Sequence, residues 1–183
     1  MPIRIKPARP PYPSAVQSRL DQIMPPGLEP LALFQILAID PRLFERFMAG
    51  SLLDAGNLPL RHREVIIGRT TAKSQCEYER AIHAMLFGKA AGFAAEHIDS
   101  MANGGPSDAC WSNEEALLLR ATDSLCLSCD IDDDLWSDLN GCFTDAALVE
   151  VILLVGFYRT VSCLANSLRL PPEPWISPNE AAR

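Results

Sequence analysis

Between residues 31 and 170 the apolar side chains recur every three or four positions, and no stretch alternates as a half-buried strand would. Leu31, Leu33, Phe34, Ile36 and Leu37 form a short apolar helix that Asp40-Pro41 closes. Leu43, Phe44, Phe47 and Met48, then Leu52 and Leu53, continue the same spacing. A turn over 54–57 precedes Pro59, a residue suited to a first helical turn, and a helix through Val65, Ile66 and Ile67 to about Lys73. Ser74 with Glu77 reads as a capping box, opening a helix that carries Ala81, Ile82, Ala84, Met85 and Leu86 and stops near Gly88 or Gly92. Ser112 with Glu115 is a second box, ahead of Leu117, Leu118, Leu119 and Leu125. Asp133 caps a further helix, and Thr144 starts the last long one, which runs to Leu170. The expected fold class is all-α.

Proline marks the edges of this pattern. Eight of the 15 prolines lie in the first 30 residues, and four more follow Leu170. Proline removes a backbone donor and disfavours helix for the residue before it. Residues 14–170 are therefore expected as a single helical domain, with 1–13 and 171–183 as extended arms. A weak internal echo runs through the domain. Glu64-Val-Ile-Ile is followed twelve residues after Glu64 by Cys76, and Glu150-Val-Ile-Leu thirteen residues after Glu150 by Cys163, as in a duplicated helical hairpin.

Composition narrows the function. At 183 residues and 48% hydrophobic, the chain is long enough for a core without disulfides or a structural metal. Its net charge of −7 argues against nucleic acid, whose binders present a basic face. The first residues lack an apolar signal core, and the run Val151 to Tyr158 is too short to span a bilayer. A cytoplasmic protein with no membrane partner is expected, its six cysteines reduced.

Reactive groups concentrate between Glu64 and His83. Seven residues is nearly two helical turns, so Cys76 and His83 fall within about 20° of one another. Glu79, three residues after Cys76 and four before His83, shares that face. With Ser74 as N-cap, Cys76 stands at the second helical position, where the helix dipole favours thiolate. Glu77 and Glu79 oppose that effect, and Lys73 and Arg80 offset them. Glu64, on the preceding helix, is close enough by connection length to face the same pocket. Glu64, Cys76, Glu79 and His83 thus combine a nucleophile, a proton shuttle and two carboxylates. Taken singly, a buried thiol is as often a small hydrophobe. Cys126-Leu-Ser-Cys129 has redox spacing but sits near a helix end with no strand before it, and Cys110, Cys142 and Cys163 read as packing residues. No metal site is expected, because ligands on one helix rarely satisfy a tetrahedral ion.

The pattern Glu64-x11-Cys76-x2-Glu79-x3-His83, with Leu60-Arg61-His62-Arg63 before it and Ala90-Ala91-Gly92 after it, resembles the carboxymuconolactone decarboxylase and alkylhydroperoxidase D (AhpD) superfamily. Cys76-Glu77-Tyr78-Glu79-Arg80-Ala81-Ile82-His83 is similar to the Cys-x-Tyr-Glu-Trp-x-x-His signature of one branch. Asp134-Leu135-Trp136 and the stretch from Leu148 to Trp175 extend the likeness over nearly the whole chain. The resemblance implies an AhpD-like helical-hairpin fold, a homo-oligomer (trimer or hexamer), a small-molecule substrate and no cofactor. It also implies Cys76, His83, Glu64 and Glu79 as catalytic residues. Tyr78, Arg80 and Arg69 are the candidate substrate-binding residues. In the redox branch, position 79 is a second cysteine that forms a disulfide with the first; here it is Glu79. Three readings follow. One is a thiol-dependent, peroxiredoxin-like antioxidant oxidoreductase in which Cys76 attacks an organic hydroperoxide and an external thiol reductant restores it. The second is an acid–base lyase or isomerase acting on a small carboxylated lactone or keto acid. The third is a non-catalytic helical oligomer.

Overall fold

The computed structural model describes residues 2–52 and 54–176. Leu53 and the outer part of the expected C-terminal arm, 177–183, lie outside the described residues. Nine helices and no strand occur among the described residues: α1 (Ser14–Ile23), α2 (Ala32–Leu37), α3 (Pro41–Ala49), α4 (Leu60–Lys73), α5 (Glu77–Phe87), α6 (Ala95–Asn103), α7 (Asn113–Ser128), α8 (Asp133–Asn140) and α9 (Asp145–Leu168). The all-α class is that expected from the spacing. Neither α1 nor α6 was marked by it, because α1 buries only Val16 and Leu20 and α6 only Ser100 and Met101.

Helix α4 is the centre of the bundle and packs against α5, α6, α7 and α9. It is buried nearly all round, with Val65, Ile66, Ile67, Thr70 and Thr71 all inside. The two threonine hydroxyls return hydrogen bonds to carbonyls one turn earlier (Thr70 Oγ1 to Ile66 O, 2.7 Å; Thr71 Oγ1 to Ile67 O, 2.9 Å), so neither is an unsatisfied buried group. Gly68 lets α6 approach, since a Cβ there would meet the Met101 sulfur at 2.5 Å. The main core joins α4, α5, α7 and α9. A smaller cluster of Val16, Leu20, Ala38, Phe44 and Met48 knits α1 to α3 and meets the main core through Phe34, Leu37 and Phe47.

Helix α9 corrects the estimate drawn from its apolar run. Its 24 residues have a mean hydropathy of 1.8 over the most apolar window, enough by length and composition to cross a membrane. Half of that window is buried against the rest of the bundle, and Glu150, Tyr158 and Ser162 are among its buried residues. That is the use of a core helix. Nor does α9 repeat the α4–α5 break: Cys163 lies exposed inside an unbroken helix.

Neither terminal stretch carries helix between 2 and 13 or between 171 and 176, and both lie against the body. Arg4 N donates to Leu168 O and Ala8 N to Gln35 O. At the other end Glu173 and Ile176 are buried.

Candidate functional site

The junction of α4 and α5 sets the site, and it is not the one the capping pattern predicts. Ser74 is the C-cap of α4, and Gln75 turns the chain in the left-handed region at φ 52°. Cys76 is itself the N-cap of α5, two positions earlier relative to its helix than expected. The predicted Ser74–Glu77 box does not form, because Ser74 still belongs to the preceding helix and the Glu77 carboxylate pairs with Arg80. The Cys76 amide donates to Thr71 O at 2.8 Å, and Asn166 Nδ2 of α9 donates to Ser74 O at 2.8 Å, which pins the turn. The Ser112–Glu115 box does form (Glu115 N to Ser112 Oγ, 3.2 Å; Ser112 N to Glu115 Oε2, 2.8 Å). Asp132, not Asp133, caps α8 by accepting from Leu135 N.

This short turn brings three of the four expected catalytic side chains into one buried row. Glu64 Oε2 lies 2.8 Å from His83 Nδ1, and Glu79 Oε1 lies 3.3 Å from His83 Nε2. Burial alone would lower the imidazole pKa. The charge and hydrogen bond of Glu64, joined by those of Glu79, outweigh it and raise the group to about 10. His83 is thus an imidazolium at neutral pH, held between two carboxylates. Tyr158 of α9 stands edge-on to its ring with centroids 5.1 Å apart, and Phe87 lies against the ring as well. Burial first, then the charges of Glu79 and Glu64, holds the Tyr158 phenol well above its ordinary value, so it keeps its proton. Its hydroxyl has no hydrogen-bond partner among the described residues.

Glu64, Glu79, His83 and Tyr158 line one side of a cavity of about 390 Å³. That volume lies within the usual range for small-molecule sites. The remaining wall is mainly apolar, from Leu33, Phe34, Phe47, Ile82, Leu86 and Phe157 among others. Asp54 and Arg63 are the other charged residues on it among the described residues. Arg63 is held by Glu150 Oε1 at 2.7 Å and by Leu52 O. Glu150 also accepts from Asn57 N at 2.6 Å, and Gly56 beside it has no room for a Cβ against that carboxylate. Among the described residues, two buried polar atoms of cavity-lining residues have no partner: Glu79 Oε2 and the Trp175 indole N–H.

Cys76 is not on this wall. Its side chain is fully buried beneath Glu79. Burial raises the thiol pKa, and the nearby Glu79 and Glu77 charges add to that, against hydrogen bonds from the Glu79 backbone and the Ser162 side chain. The thiolate-favouring helix position expected from the cap is therefore overridden by desolvation.

The three expected substrate-binding residues also lie off the cavity. Arg69 is buried away from the cavity, where Asp123 accepts from it through both oxygens (2.6 and 2.7 Å) and the Met101 and Gly104 carbonyls accept from its Nη1. Arg80 pairs with Glu77 at the surface turn. The Tyr78 hydroxyl donates to Glu173 and accepts from Leu33 N at 3.2 Å. The same Glu173 oxygen accepts from Ala32 N at 2.7 Å, so Tyr78 fastens the C-terminal stretch that carries Trp175 onto the cavity wall. Sequence reasoning passed over Tyr158, Trp175 and Arg63. The one legible signal was the buried-type glutamate Glu150 in the repeat of the Glu64 motif. Both imidazole nitrogens of His83 are occupied by carboxylates, which leaves the cluster no nitrogen for a metal ion.

No protein-family model matches the sequence, and no curated protein matches it. Solved structures do match. A peroxidase-related protein from Ralstonia eutropha JMP134, with the alkylhydroperoxidase AhpD core, superposes with a TM-score of 0.82 at 21% identity, over 95% of this chain and 94% of that one. A peroxidase-related protein from Silicibacter sp. TM1040 gives 0.80 at 16% identity, over 96% and 94%. A protein of unknown function from Agrobacterium tumefaciens gives 0.64 at 19% identity, over 74% and 94%. At these identities the likeness defines the fold: this chain has the AhpD-core architecture.

Proposed function

We propose that this chain is an enzyme of the AhpD and carboxymuconolactone decarboxylase-like group that transfers protons at a carbon acid, with Glu79 as the base. The observation that carries the reading is Glu79 itself, a nearly buried carboxylate on the wall of a mainly apolar cavity, with one oxygen beside the His83 imidazolium and the other without a partner among the described residues. His83, 3.3 Å from Glu79 Oε1, keeps the carboxylate oriented, as a general base requires. Glu79 takes a proton from a carbon next to a carbonyl. The C–H bond breaks, its electron pair shifts onto the carbonyl oxygen, and an O–H bond forms at Glu79. The Tyr158 hydroxyl is a donor for that oxygen. Return of the proton to another carbon completes an isomerisation without a redox partner. Glu64 is a positioning residue that acts through His83.

The test is solvent deuterium incorporation into a panel of cyclic and aryl ketones, followed by NMR. Wild type is expected to catalyse exchange, and Glu79→Gln to lose at least ~100-fold, the usual contribution of a general base. Equal rates in the two proteins, or no exchange by either, would overturn the reading.

A second reading has its own support. Two of the structural neighbours are named peroxidase-related, and Cys76 packs directly under Glu79. In that chemistry the Cys76 thiolate attacks a hydroperoxide, an S–O bond forms as the O–O bond breaks, and the alkoxide takes a proton from His83. An external dithiol then reduces the sulfenic acid. Cumene hydroperoxide turnover with a dithiol separates the two: a rate lost in Cys76→Ser favours the peroxidase, and an unchanged rate removes it.

A further inference from the structure

Glu64 and His83 border two spaces. Besides the cavity of about 390 Å³, both line a small space of about 20 Å³ enclosed by α4, α5 and α6. Ile98 and Met101 of α6 belong to the small space, whereas no α6 residue is among the described residues lining the large cavity. The pair is therefore reached from two sides of the bundle. The small space has room for one water, and a buried water needs two to four polar partners. Glu64, His83 and Arg80 are the polar residues on its otherwise apolar wall, among the described residues. The small space also adjoins the surface. Arg80 and Ile98 stand both on its wall and on that of a polar groove, whose other residues include the exposed Gln75, Asp99 and Asn103. Groove and small space together lead from solvent to Glu64 and His83 without crossing the large cavity.

We infer that the small space is a water site through which Glu64 and His83 exchange protons with solvent while a ligand fills the large cavity. A ligand there expels the water from that side, so exchange has to use another path. His83 Nδ1 and Glu64 Oε2 are 2.8 Å apart. The Nδ1–H bond breaks as an O–H bond forms on Glu64, the water takes that proton, and the reverse steps return one. His83 Nε2 faces Glu79, which lines the large cavity and not the small space, so its proton exchanges by the large cavity. A proton that Glu79 takes from a ligand is then matched by one that leaves Nδ1 through Glu64, and the charge of the row is restored before the ligand departs. The inference goes beyond the proposed function and holds for either chemistry.

Exchange of the two His83 ring protons with water, followed separately by NMR in protein labelled with 15N-histidine, tests it without a substrate; the chain has three histidines to assign. Ala84→Leu, which fills the small space, is expected to slow Nδ1–H exchange at least ten-fold and to leave Nε2–H within about two-fold. Ile98→Ala, which widens the passage to the groove, is expected to speed Nδ1–H exchange, and it carries the test if the first variant misfolds. Leu86→Trp, which fills the large cavity, is expected to slow Nε2–H alone. Nδ1–H rates unmoved by Ala84→Leu and Ile98→Ala, or slowed as much by Leu86→Trp as by Ala84→Leu, would overturn the proposal. So would ring-proton exchange no faster than that of the α5 backbone amides, the mark of exchange by helix opening. Because no substrate is present, a protein without either proposed activity can still show these rates, and an active one can fail to show them.

Discussion

One imidazolium between two carboxylates governs the chemistry of this site at the residue scale. Glu64 and Glu79 are both nearly fully buried, and each depends on His83 for its counter-charge. Removing one partner of such a cluster leaves uncompensated buried charge, which typically costs about 3–5 kcal/mol. His83→Gln is accordingly expected to lower unfolding free energy by that order in urea titrations, with Glu64→Gln in the same chain recovering part of it. The pH dependence has a definite sign. His83 is raised from an ordinary 6.5 to about 10 on folding, so its contribution is fully present below 6.5 and declines as pH rises to about 10. The stability advantage of wild type over His83→Gln should follow that course, and a gap that widened toward alkaline pH would refute the assignment.

The decisive elements are two junctions. At the first, α4 gives way to α5 through a left-handed Gln75, and this sharp turn sets Glu79 and His83 against Glu64 on the neighbouring helix. At the second, the stretch after α9 folds back and is held by Tyr78 through Glu173. Tyr78→Phe removes the donor to a buried carboxylate, whose own pKa burial already raises, and should cost about 1–3 kcal/mol locally. The expected outcome is faster protease cleavage after Leu170 and weaker hydrogen-exchange protection at Ala32, with α4 and α9 amides unaffected. An unchanged cleavage rate would mean that Tyr78 does not hold this stretch. Tyr78 also shows what a motif conceals: the residue is conspicuous in the sequence, yet its hydroxyl bonds Glu173 and Leu33 N and lies off the cavity.

For the whole molecule, α9 presents two faces. Its inner face carries Glu150, Leu154 and Tyr158 into the core and the cavity. On its outer face Val149, Ile152 and Leu153 are exposed, and Gly156, one turn further on, leaves open space where a Cβ would stand. An apolar stripe that ends on a flat position suits close packing of a second helix, which supports the proposed homo-oligomer. Leu153→Glu is expected to convert the assembly to monomer in sedimentation velocity while the helical circular dichroism signal persists. A monomeric wild type would remove the proposal.

The periodic spacing of apolar residues was enough to establish the helical class and to place α2, α4, α5, α7 and α9, because amphipathic periodicity is a local property of the chain. The Glu64, Glu79 and His83 cluster was legible for a related reason: fixed spacing on helices converts directly into a shared face. Capping patterns were less secure. Ser112–Glu115 and Ser74–Glu77 look alike in sequence, but only the tertiary turn pinned by Asn166 decides that Ser74 ends a helix and does not begin one. Burial decided the rest. It withdrew Cys76 from the cavity, tied Arg69 to Asp123, and brought Tyr158, Arg63 and Trp175 to the wall from remote parts of the chain. Spacing along one helix cannot report which distant side chains share a desolvated space, and it is desolvation that determines which of these groups can act.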